Sequence, residues 1–177
     1  MSLISASPRP AASPVTCGFL VNARRLRSVV RIIHDNTTTK YITHSEVIEH
    51  RAAHTRRWAH FRRSLLADDL KRAIRRQKRG EGGVLVATQG RRLLGVAVLL
   101  YERRHHYGIV EDIVVSEHCR GKGIGNLLME SAIGLMREAG MENVILESGI
   151  RNKEAHAFFR RHDFREAAIM FLRRIPA

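Results

Sequence analysis

The chain has 177 residues, of which 44% are hydrophobic, and its formal net charge at pH 7 is +14. This length suits one domain with its own core, and the hydrophobic content is ordinary for a globular protein. No apolar run approaches the roughly 18 residues of a membrane helix, which excludes a membrane-spanning segment. Cys17 and Cys119 are the only cysteines, which excludes a disulfide framework and favours a reducing cytoplasm.

The N-terminal residues 1–14 are rich in Ser, Pro and Ala and are predicted to be a disordered tail. They have no basic region before a continuous apolar core, so they do not resemble a signal peptide. A single domain is then expected over residues 15–177.

Positive charge is concentrated in residues 51–79, where eleven Lys and Arg residues are opposed only by Asp68 and Asp69. A surface this basic attracts polyanions such as nucleic acid, anionic lipid or multiply phosphorylated small molecules. A solvated, arginine-rich surface without a partner is the simpler interpretation, and the composition leaves both open.

The N-terminal half is predicted to be mainly helical. Apolar periodicity and turn residues indicate, in order, a strand at 15–23, a helix at 24–34, a loop at 36–39, a helix at 45–65 and a helix at 68–79. Ser45 is the expected N-cap of the 45–65 helix, and Gly80 ends the 68–79 helix. The buried stripe of the 45–65 helix is expected to be Val47, His54, Trp58, Phe61 and Leu65.

The C-terminal half alternates between strands and helices. The pattern predicts strands at 84–88, 93–101 and 107–115, a helix at 124–139, a strand at 144–147, a helix at 152–161 and a final strand at 164–173. The first three strands form a meander with short connections. The order favours an α+β or mixed α/β class with one sheet and no internal repeat.

A glycine-rich loop, Arg120-Gly121-Lys122-Gly123-Ile124-Gly125, joins the third strand of the meander to the next helix. Such a loop directs several N–H groups and a helix N-terminus at one place, which favours a phosphate site. A dinucleotide-binding fold is the competing interpretation. It is disfavoured because the G-x-G-x-x-G spacing is absent and three strand-like segments precede the loop instead of one.

Two segments resemble the GNAT (GCN5-related N-acetyltransferase) superfamily. The segment IVVSEHCRGKGIGNLLM is similar to its acyl-CoA motif, Arg/Gln-x-x-Gly-x-Gly/Ala after a strand, with Arg120, Gly123 and Gly125 at the matching positions. The segment RNKEAHAFFRRHDF is similar to the last helix of the family. The resemblance covers roughly residues 82–174. It implies a central, mostly antiparallel sheet with splayed strands and flanking helices, and acetyl-CoA as cosubstrate.

The resemblance also implies which residues bind coenzyme A. The loop N–H groups and the helix dipole would hold the pyrophosphate, and the main chain of the splayed strand would bind pantetheine. Asn152 would supply a second contact, with a helix N-cap as its alternative role. The expected cofactor-binding residues are Ile113, Val114, Val115, Arg120, Gly121, Lys122, Gly123, Ile124, Gly125, Asn126, Asn152 and Phe159.

Acetyl transfer to an amine requires a base, and Glu111 and Asp112 are the best candidates because they lie just before the CoA-binding strand segment. Strand alternation sends them to opposite faces, so at most one is expected in the acyl cleft. A structural ion pair with an arginine is the alternative.

The family often places a tyrosine acid in the last helix, and the matching position here is Phe159, which can pack against CoA but cannot donate a proton. Tyr107, His156 and His162 are weaker candidates for the acid. Glu46, His50 and His54 have a spacing that can seat a metal on a helix face. A solvated basic face is the favoured interpretation, and no metal site is predicted.

The acceptor pocket of the family is usually shaped by the first helices and the strand connections, here residues 35–65 and 102–107. The strand and loop also resemble glucosamine-6-phosphate N-acetyltransferases, and a phosphorylated or otherwise anionic amine suits the basic surface. A polyamine or a protein lysine fits less well, because a cationic acceptor gains from an acidic site. An aminoglycoside is disfavoured on the same ground, unless the site is locally acidic at Glu111 and Asp112.

The sequence therefore predicts a cytoplasmic, acetyl-CoA-dependent N-acetyltransferase that acts by direct attack of a primary amine of a small molecule or protein, with a homodimer as a further expectation. The alternative is a CoA-binding, catalytically weak basic module associated with nucleic acid or regulation.

Overall fold

The computed structural model describes residues 13–173 and residue 175. Most of the predicted tail, residues 1–12, lies outside the described residues. The strands are β1 (Val15–Phe19), β2 (Ala52–His54), β3 (Arg57–Trp58), β4 (Gly82–Gln89), β5 (Arg92–Glu102), β6 (Tyr107–Val115) and β7 (Asn143–Leu146). The helices are α1 (Leu26–Asn36), α2 (His44–Ile48), α3 (Arg62–Lys78), α4 (Ile124–Glu138) and α5 (Lys153–Arg160).

A five-stranded sheet with the order β1-β4-β5-β6-β7 forms the centre of the fold, and β2 and β3 form a separate hairpin. All neighbours in the main sheet are antiparallel except β6 and β7, which are parallel. The expected α+β architecture with a mostly antiparallel sheet and flanking helices is confirmed. Among the residues that the structure describes, no helix is both long enough and apolar enough to cross a bilayer.

Strands β6 and β7 separate after four pairs. Their pairing runs from Tyr107 opposite Asn143 to Val110 opposite Leu146. Residues 111–115 of β6 continue beyond the end of β7 and pair only on their other edge, with β5. Within the described part of the chain, the main chain on the β7 side of this segment therefore has no neighbouring strand, which is the splay that the family resemblance implied.

The core has two layers of buried side chains, one on each face of the sheet. On one face, Leu128 and Met136 of α4 pack against Leu99. On the other face, side chains of α1 and α3, including Ile33 and Leu70, pack against the sheet. These apolar contacts fix α3 and α4 on opposite sides of β6.

The predicted helix over residues 45–65 is wrong, because the chain forms α2, a hairpin and the start of α3 there. Helix α2 is capped by Thr43 rather than Ser45: the Thr43 N–H and Oγ1 both donate to Glu46 Oε2, at 2.7 and 2.5 Å. The helix ends where His50 takes a left-handed conformation, with φ of 62°. Helix α3 then begins at Arg62, six residues before the predicted start.

Arg62 explains why α3 starts where it does. Its side chain is buried, its guanidinium lies 3.5 Å over the ring of Trp58, and it donates to Thr37 Oγ1 and to the His34 carbonyl. Burial lowers the pKa of Arg62 to about 10. A charged residue that looks like part of a surface stripe is in fact the contact that joins α1, the hairpin and α3.

The predicted final strand at residues 164–173 is also wrong. These residues form neither strand nor helix, and Ile169, Met170 and Phe171 are 79%, 64% and 87% exposed. A strand requires a hydrogen-bonded neighbour, and the segment is not among the paired strands of either sheet. Its β-like composition alone was therefore a misleading signal.

Candidate active site

Glu111 and Asp112 both face one cleft, because the strand that carries them contains a β-bulge. Val98 of β5 pairs with Asp112, but the next residue, Leu99, pairs with Val110, which leaves Glu111 as the extra residue. Both carboxylates line a cleft of about 390 Å³ between α2, α3 and the β6–β7 edge. The expectation that they lie on opposite faces is wrong, since alternation holds only in a regular ladder.

Asp112 is the more buried of the two, with 7% of its surface exposed. Tyr41 Oη donates to its Oδ1 at 2.8 Å, and the nearest guanidinium nitrogen of Arg51 is 3.9 Å from Oδ2. Burial raises the pKa of Asp112 to about 6 although Arg51 and Tyr41 oppose the rise, while Glu46 and Glu111 add to it. A carboxyl group with a pKa near 6 is mostly ionised at neutral pH and can accept a proton there, which is what a general base requires.

Tyr41 holds the position of Asp112. Burial and the neighbouring Asp112 charge raise the pKa of Tyr41 well above its ordinary value, so its hydroxyl stays a hydrogen-bond donor. Its loop is tied to the segment after β7, where Arg151 donates to the carbonyl of Thr39 at 2.8 Å. A Cβ at Gly149 would lie 2.2 Å from the Lys40 carbonyl oxygen, so only glycine permits this approach.

Glu111 has a different environment. About a third of its side chain is exposed, and both of its oxygens accept from the guanidinium of Arg76 on α3. The structural ion pair considered for these carboxylates therefore describes Glu111. Asp112 instead has a tyrosine donor and a more distant arginine.

The cleft as a whole is acidic. Its carboxylates are Glu46, Glu49, Asp69, Glu111, Asp112 and Glu147, and its cationic side chains are Arg51, Arg72 and Arg76. Arg51 lies at the centre, with Glu49 at 2.9 Å and Glu46 at 3.4 Å. Burial alone would lower the pKa of Arg51, but Asp112, Glu46, Glu49 and Asp69 together raise it.

Several of these residues were missed in the sequence. Tyr41 and Arg51 lie within the region 35–65 that was expected near the acceptor, but their contacts with Asp112 join positions more than 60 residues apart. No local pattern indicates such a pair. The connection at residues 102–107 was also expected near the acceptor, and it does not line the cleft.

The glycine loop has the geometry of an anion site. Gly121 and Gly123 have φ of 72° and 77°, a left-handed conformation that other residues rarely adopt, and Gly123 is the N-cap of α4. The space beside both α-carbons is open. The N–H groups of Ile124, Gly125 and Asn126 form the first turn of α4 and have no partner within the helix.

The two cations of the loop are held by the protein's own carbonyl groups. Arg120 donates to the Asn36 carbonyl at 2.9 Å, and Lys122 donates to the His118 carbonyl at 3.0 Å. Their charges stay beside the loop, and Arg120 also ties the loop to the end of α1. Ile113 and Val115 pack towards α4, and Val114 is buried on the opposite face, so only the main chain of this segment borders the splay.

Helix α5 places Phe158, rather than Phe159, beside the loop. A Cβ at Gly125 would be 3.3 Å from the Phe158 ring. Phe159 is 9% exposed and packs edge to face with Phe158 and Phe164. Asn152 occupies the N-cap position of α5, but its side chain forms no capping hydrogen bond.

The three candidate acids, Tyr107, His156 and His162, lie apart from one another and outside the cleft. His162 contacts Glu130 at 3.0 Å and Asn126 at 3.2 Å, so it bridges α4 and α5. His156 contacts the Gly149 carbonyl at 3.1 Å. Tyr107 begins β6, eight residues from Val115, which is roughly 26 Å along a strand. None of these three side chains lines the cleft.

The predicted helix face of Glu46, His50 and His54 does not exist. Glu46 is in α2, His50 is in the turn after it and His54 ends β2. Within the described part of the chain, no group of three or more potential ligand side chains is arranged to hold a metal ion.

Comparison with known proteins shows the family to which this protein belongs. A model of the Acetyltransferase (GNAT) family matches residues 46–164, more than half of the chain. The chain therefore belongs to the GNAT acetyltransferase family, and the resemblance seen in the sequence is confirmed.

Particular relatives agree with this assignment. "Uncharacterized N-acetyltransferase YhdJ" of Bacillus subtilis (strain 168) is 40% identical over 50 residues, and this match spans 28% of the chain and only 35% of the relative. The PaiA N-acetyltransferase from Thermoplasma acidophilum in complex with coenzyme A has a TM-score of 0.67 at 14% identity, over 84% of this chain and 88% of that one. Glucosamine-6-phosphate N-acetyltransferase from Arabidopsis thaliana has a TM-score of 0.60 at 15% identity, over 93% and 100%. At these identities the two structures share the fold alone.

Proposed function

We propose that the protein transfers the acetyl group of acetyl-CoA to a primary amine by direct attack, with residues 15–177 as the acyltransferase domain. One observation carries this proposal. The unpaired main chain of β6 at residues 111–115 leads from the glycine loop at one end to the buried carboxyl group of Asp112 at the other. A linear cosubstrate bound along it would present its thioester beside a base.

The backbone of the glycine loop suits the pyrophosphate of coenzyme A. The pyrophosphate would bind the first-turn N–H groups of α4, where the helix dipole favours negative charge and the space at Gly121 and Gly123 is open. The main chain of residues 113–115 would hydrogen-bond the pantetheine amides. Phe158 would pack beside the loop in place of the expected Phe159.

Asp112 would act as the general base. As the amine attacks the thioester carbonyl, an N–C bond forms, the C–S bond breaks, and the proton released by nitrogen passes to the Asp112 carboxylate. Tyr41 would hold that carboxylate in position. The thiolate would leave without a dedicated acid and take its proton from solvent, since Phe159 has no proton to donate and is buried in α5.

The sequence-based alternative, a basic CoA-binding module without turnover, has one observation in its favour, the formal net charge of +14. Nucleic-acid binding, a homodimer and a cytoplasmic location stay predictions. The acidic cleft supports acetyl transfer rather than CoA binding without catalysis. A protein that only binds CoA does not require a buried carboxyl group beside the separated strands β6 and β7.

Thermal unfolding with and without acetyl-CoA tests binding. At a hundredfold excess over Kd we expect about 2.7 kcal/mol of stabilisation, which raises Tm by roughly 5–10 °C, and no rise with adenosine as the control. Release of free thiol with a panel of amines then tests turnover. Binding without thiol release, together with salt-sensitive binding of RNA or DNA, would favour the alternative; no stabilisation by acetyl-CoA would overturn both.

A further inference from the structure

The cleft beside Asp112 has a charge opposite to that of the whole protein. Among the residues that the structure describes, six acidic side chains line it, against three arginines. The cleft therefore has three more carboxylates than guanidinium groups, in a protein with a net charge of +14. Such a concentration of one sign in a concave site selects a ligand of the other sign.

The arginines of the cleft are already engaged. Arg72 pairs with Asp69, Arg76 pairs with Glu111, and Arg51 is shared between Glu49 and Glu46. An anionic acceptor would have to compete with these carboxylates for each guanidinium. The phosphorylated acceptor that suited the overall basic charge does not suit this cleft.

Glu147 lies at the exposed rim of the cleft, and the basic group nearest to it is the imidazole of His44 rather than a lysine or an arginine. It follows the last residue of β7, and about half of its side chain is exposed. It accepts from Ser45 Oγ at 2.8 Å and lies 3.2 Å from His44 Nδ1. In the part of the chain that the structure describes, no Lys or Arg side chain lies within 4 Å of its carboxylate.

Part of the cleft wall is apolar. Leu66 and Leu70 of α3, Val98 and Val110 of the sheet and Leu146 of β7 all line the cleft. Methylene groups of an aliphatic ligand pack well against these side chains. A cavity of about 390 Å³ suits a small molecule.

We propose that the acceptor is a small aliphatic di- or polyamine, whose reacting amine lies at Asp112 and whose second ammonium group binds Glu147. This inference rests on the proposed acetyl transfer and names its substrate class. The reacting nitrogen gives up its proton as it bonds to the acetyl carbon, and the product is a monoacetylated amine plus CoA thiol. The distal ammonium keeps its charge throughout and fixes the orientation of the chain.

Thiol release with acceptors of matched length tests the substrate class. The acceptors are 1,4-diaminobutane and spermidine, butylamine without the second cation, 4-aminobutanoate with an anion in its place, and glucosamine 6-phosphate. We expect kcat/KM to be at least tenfold higher for the diamine than for butylamine, and higher still relative to both anionic acceptors. The advantage of the diamine should shrink in 0.5 M NaCl, because the rim carboxylate is half exposed.

Glu147→Gln tests the distal site. It keeps an acceptor for Ser45 but removes the charge, so we expect KM for the diamine to rise five- to twentyfold while kcat/KM for butylamine changes less than twofold. Glu142→Gln is the matched control, since Glu142 is exposed just before β7 and outside the cleft. Its kinetics with both amines should equal those of the wild type.

The outcomes separate this inference from the function on which it rests. Thiol release with butylamine or glucosamine 6-phosphate that equals or exceeds release with the diamine would overturn the diamine inference alone. An equal loss with both amines in Glu147→Gln would do the same. Absence of thiol release with every acceptor, while acetyl-CoA still raises Tm, would overturn the proposed function and the inference together.

Discussion

At the scale of single residues, the chemistry of the cleft depends on one irregularity in a strand. Glu111 and Asp112 are adjacent in sequence, and a regular strand would send only one of them to the cleft. The bulge at Glu111 brings both there. Their surroundings then differentiate them, because Arg76 neutralises Glu111 while burial raises the pKa of Asp112.

The pH dependence of activity should report Asp112. With its pKa at about 6, kcat/KM should rise as pH increases through 6, when the carboxylate becomes available as base. Asp112→Asn should lose roughly a hundredfold or more and lose this inflection. Glu111→Gln is the control: it breaks the Arg76 pair but should keep an inflection near pH 6. The groups that surround Asp112 and influence the inflection are Tyr41, Arg51, Arg62, Glu46 and Glu111.

The same substitution gives a stability readout. The pKa of Asp112 is higher in the folded chain than in the unfolded one, so the folded state binds more protons between about pH 4 and 6. The contribution of Asp112 to the free energy of unfolding therefore falls as pH rises through that window. The free energy of unfolding of Asp112→Asn minus that of the wild type should therefore increase from pH 4 to 7 by about 2 kcal/mol. A difference that is constant with pH, measured by urea unfolding, would contradict the raised pKa.

Gly149 offers a test of how Tyr41 is positioned. In Gly149→Ala the new Cβ would meet the carbonyl oxygens of Lys40 and Ile42, so the loop that carries Tyr41 must move. We expect a loss of about 1–3 kcal/mol in the free energy of unfolding and a lower kcat. Gly134→Ala in α4 is the control, since its Cβ meets nothing within 4 Å and should stabilise by about 0.5–1 kcal/mol. Equal effects of the two substitutions on kcat would contradict the role of this contact.

At the scale of elements, the predictions were correct where a local sequence pattern determines the element and wrong where contacts with distant residues determine it. The meander, α4 and the glycine loop follow from alternation, helical spacing and turn residues, and each forms close to its predicted bounds. The helix at 45–65 failed because spacing cannot reveal that Arg62 is buried on Trp58. The final strand failed because apolar composition does not supply an edge with which to pair.

The two ends of α4 provide a matched test of the loop. Gly123 before the helix and Gly140 after it have φ of 77° and 80°, and both have open space at the Cβ position. Replacing either by alanine should cost a similar amount, about 1 kcal/mol, through left-handed strain. Only Gly123→Ala should also weaken acetyl-CoA binding, by about tenfold in calorimetry. Equal affinities in the two variants would show that the loop does not hold the cosubstrate.

At the scale of the whole molecule, net charge and local charge point to different ligands. The value of +14 suggested an anionic acceptor or nucleic acid, and it is a property of the surface as a whole. The cleft has the opposite sign because α2, α3, β6 and β7 each direct acidic side chains to the same place. Those residues span positions 46 to 147, so no window of sequence contains the acidic site.

The sequence by itself determined the family, the three-strand meander and the loop that begins α4, because each depends on residues that are neighbours along the chain. Only the tertiary structure decided which carboxylate is buried, which tyrosine holds it and what charge the cleft has. These properties arise from contacts between distant segments and from a bulge that shifts register by one residue. Burial and register are properties of the packed molecule, and they give Asp112 a pKa that its position in the sequence does not indicate.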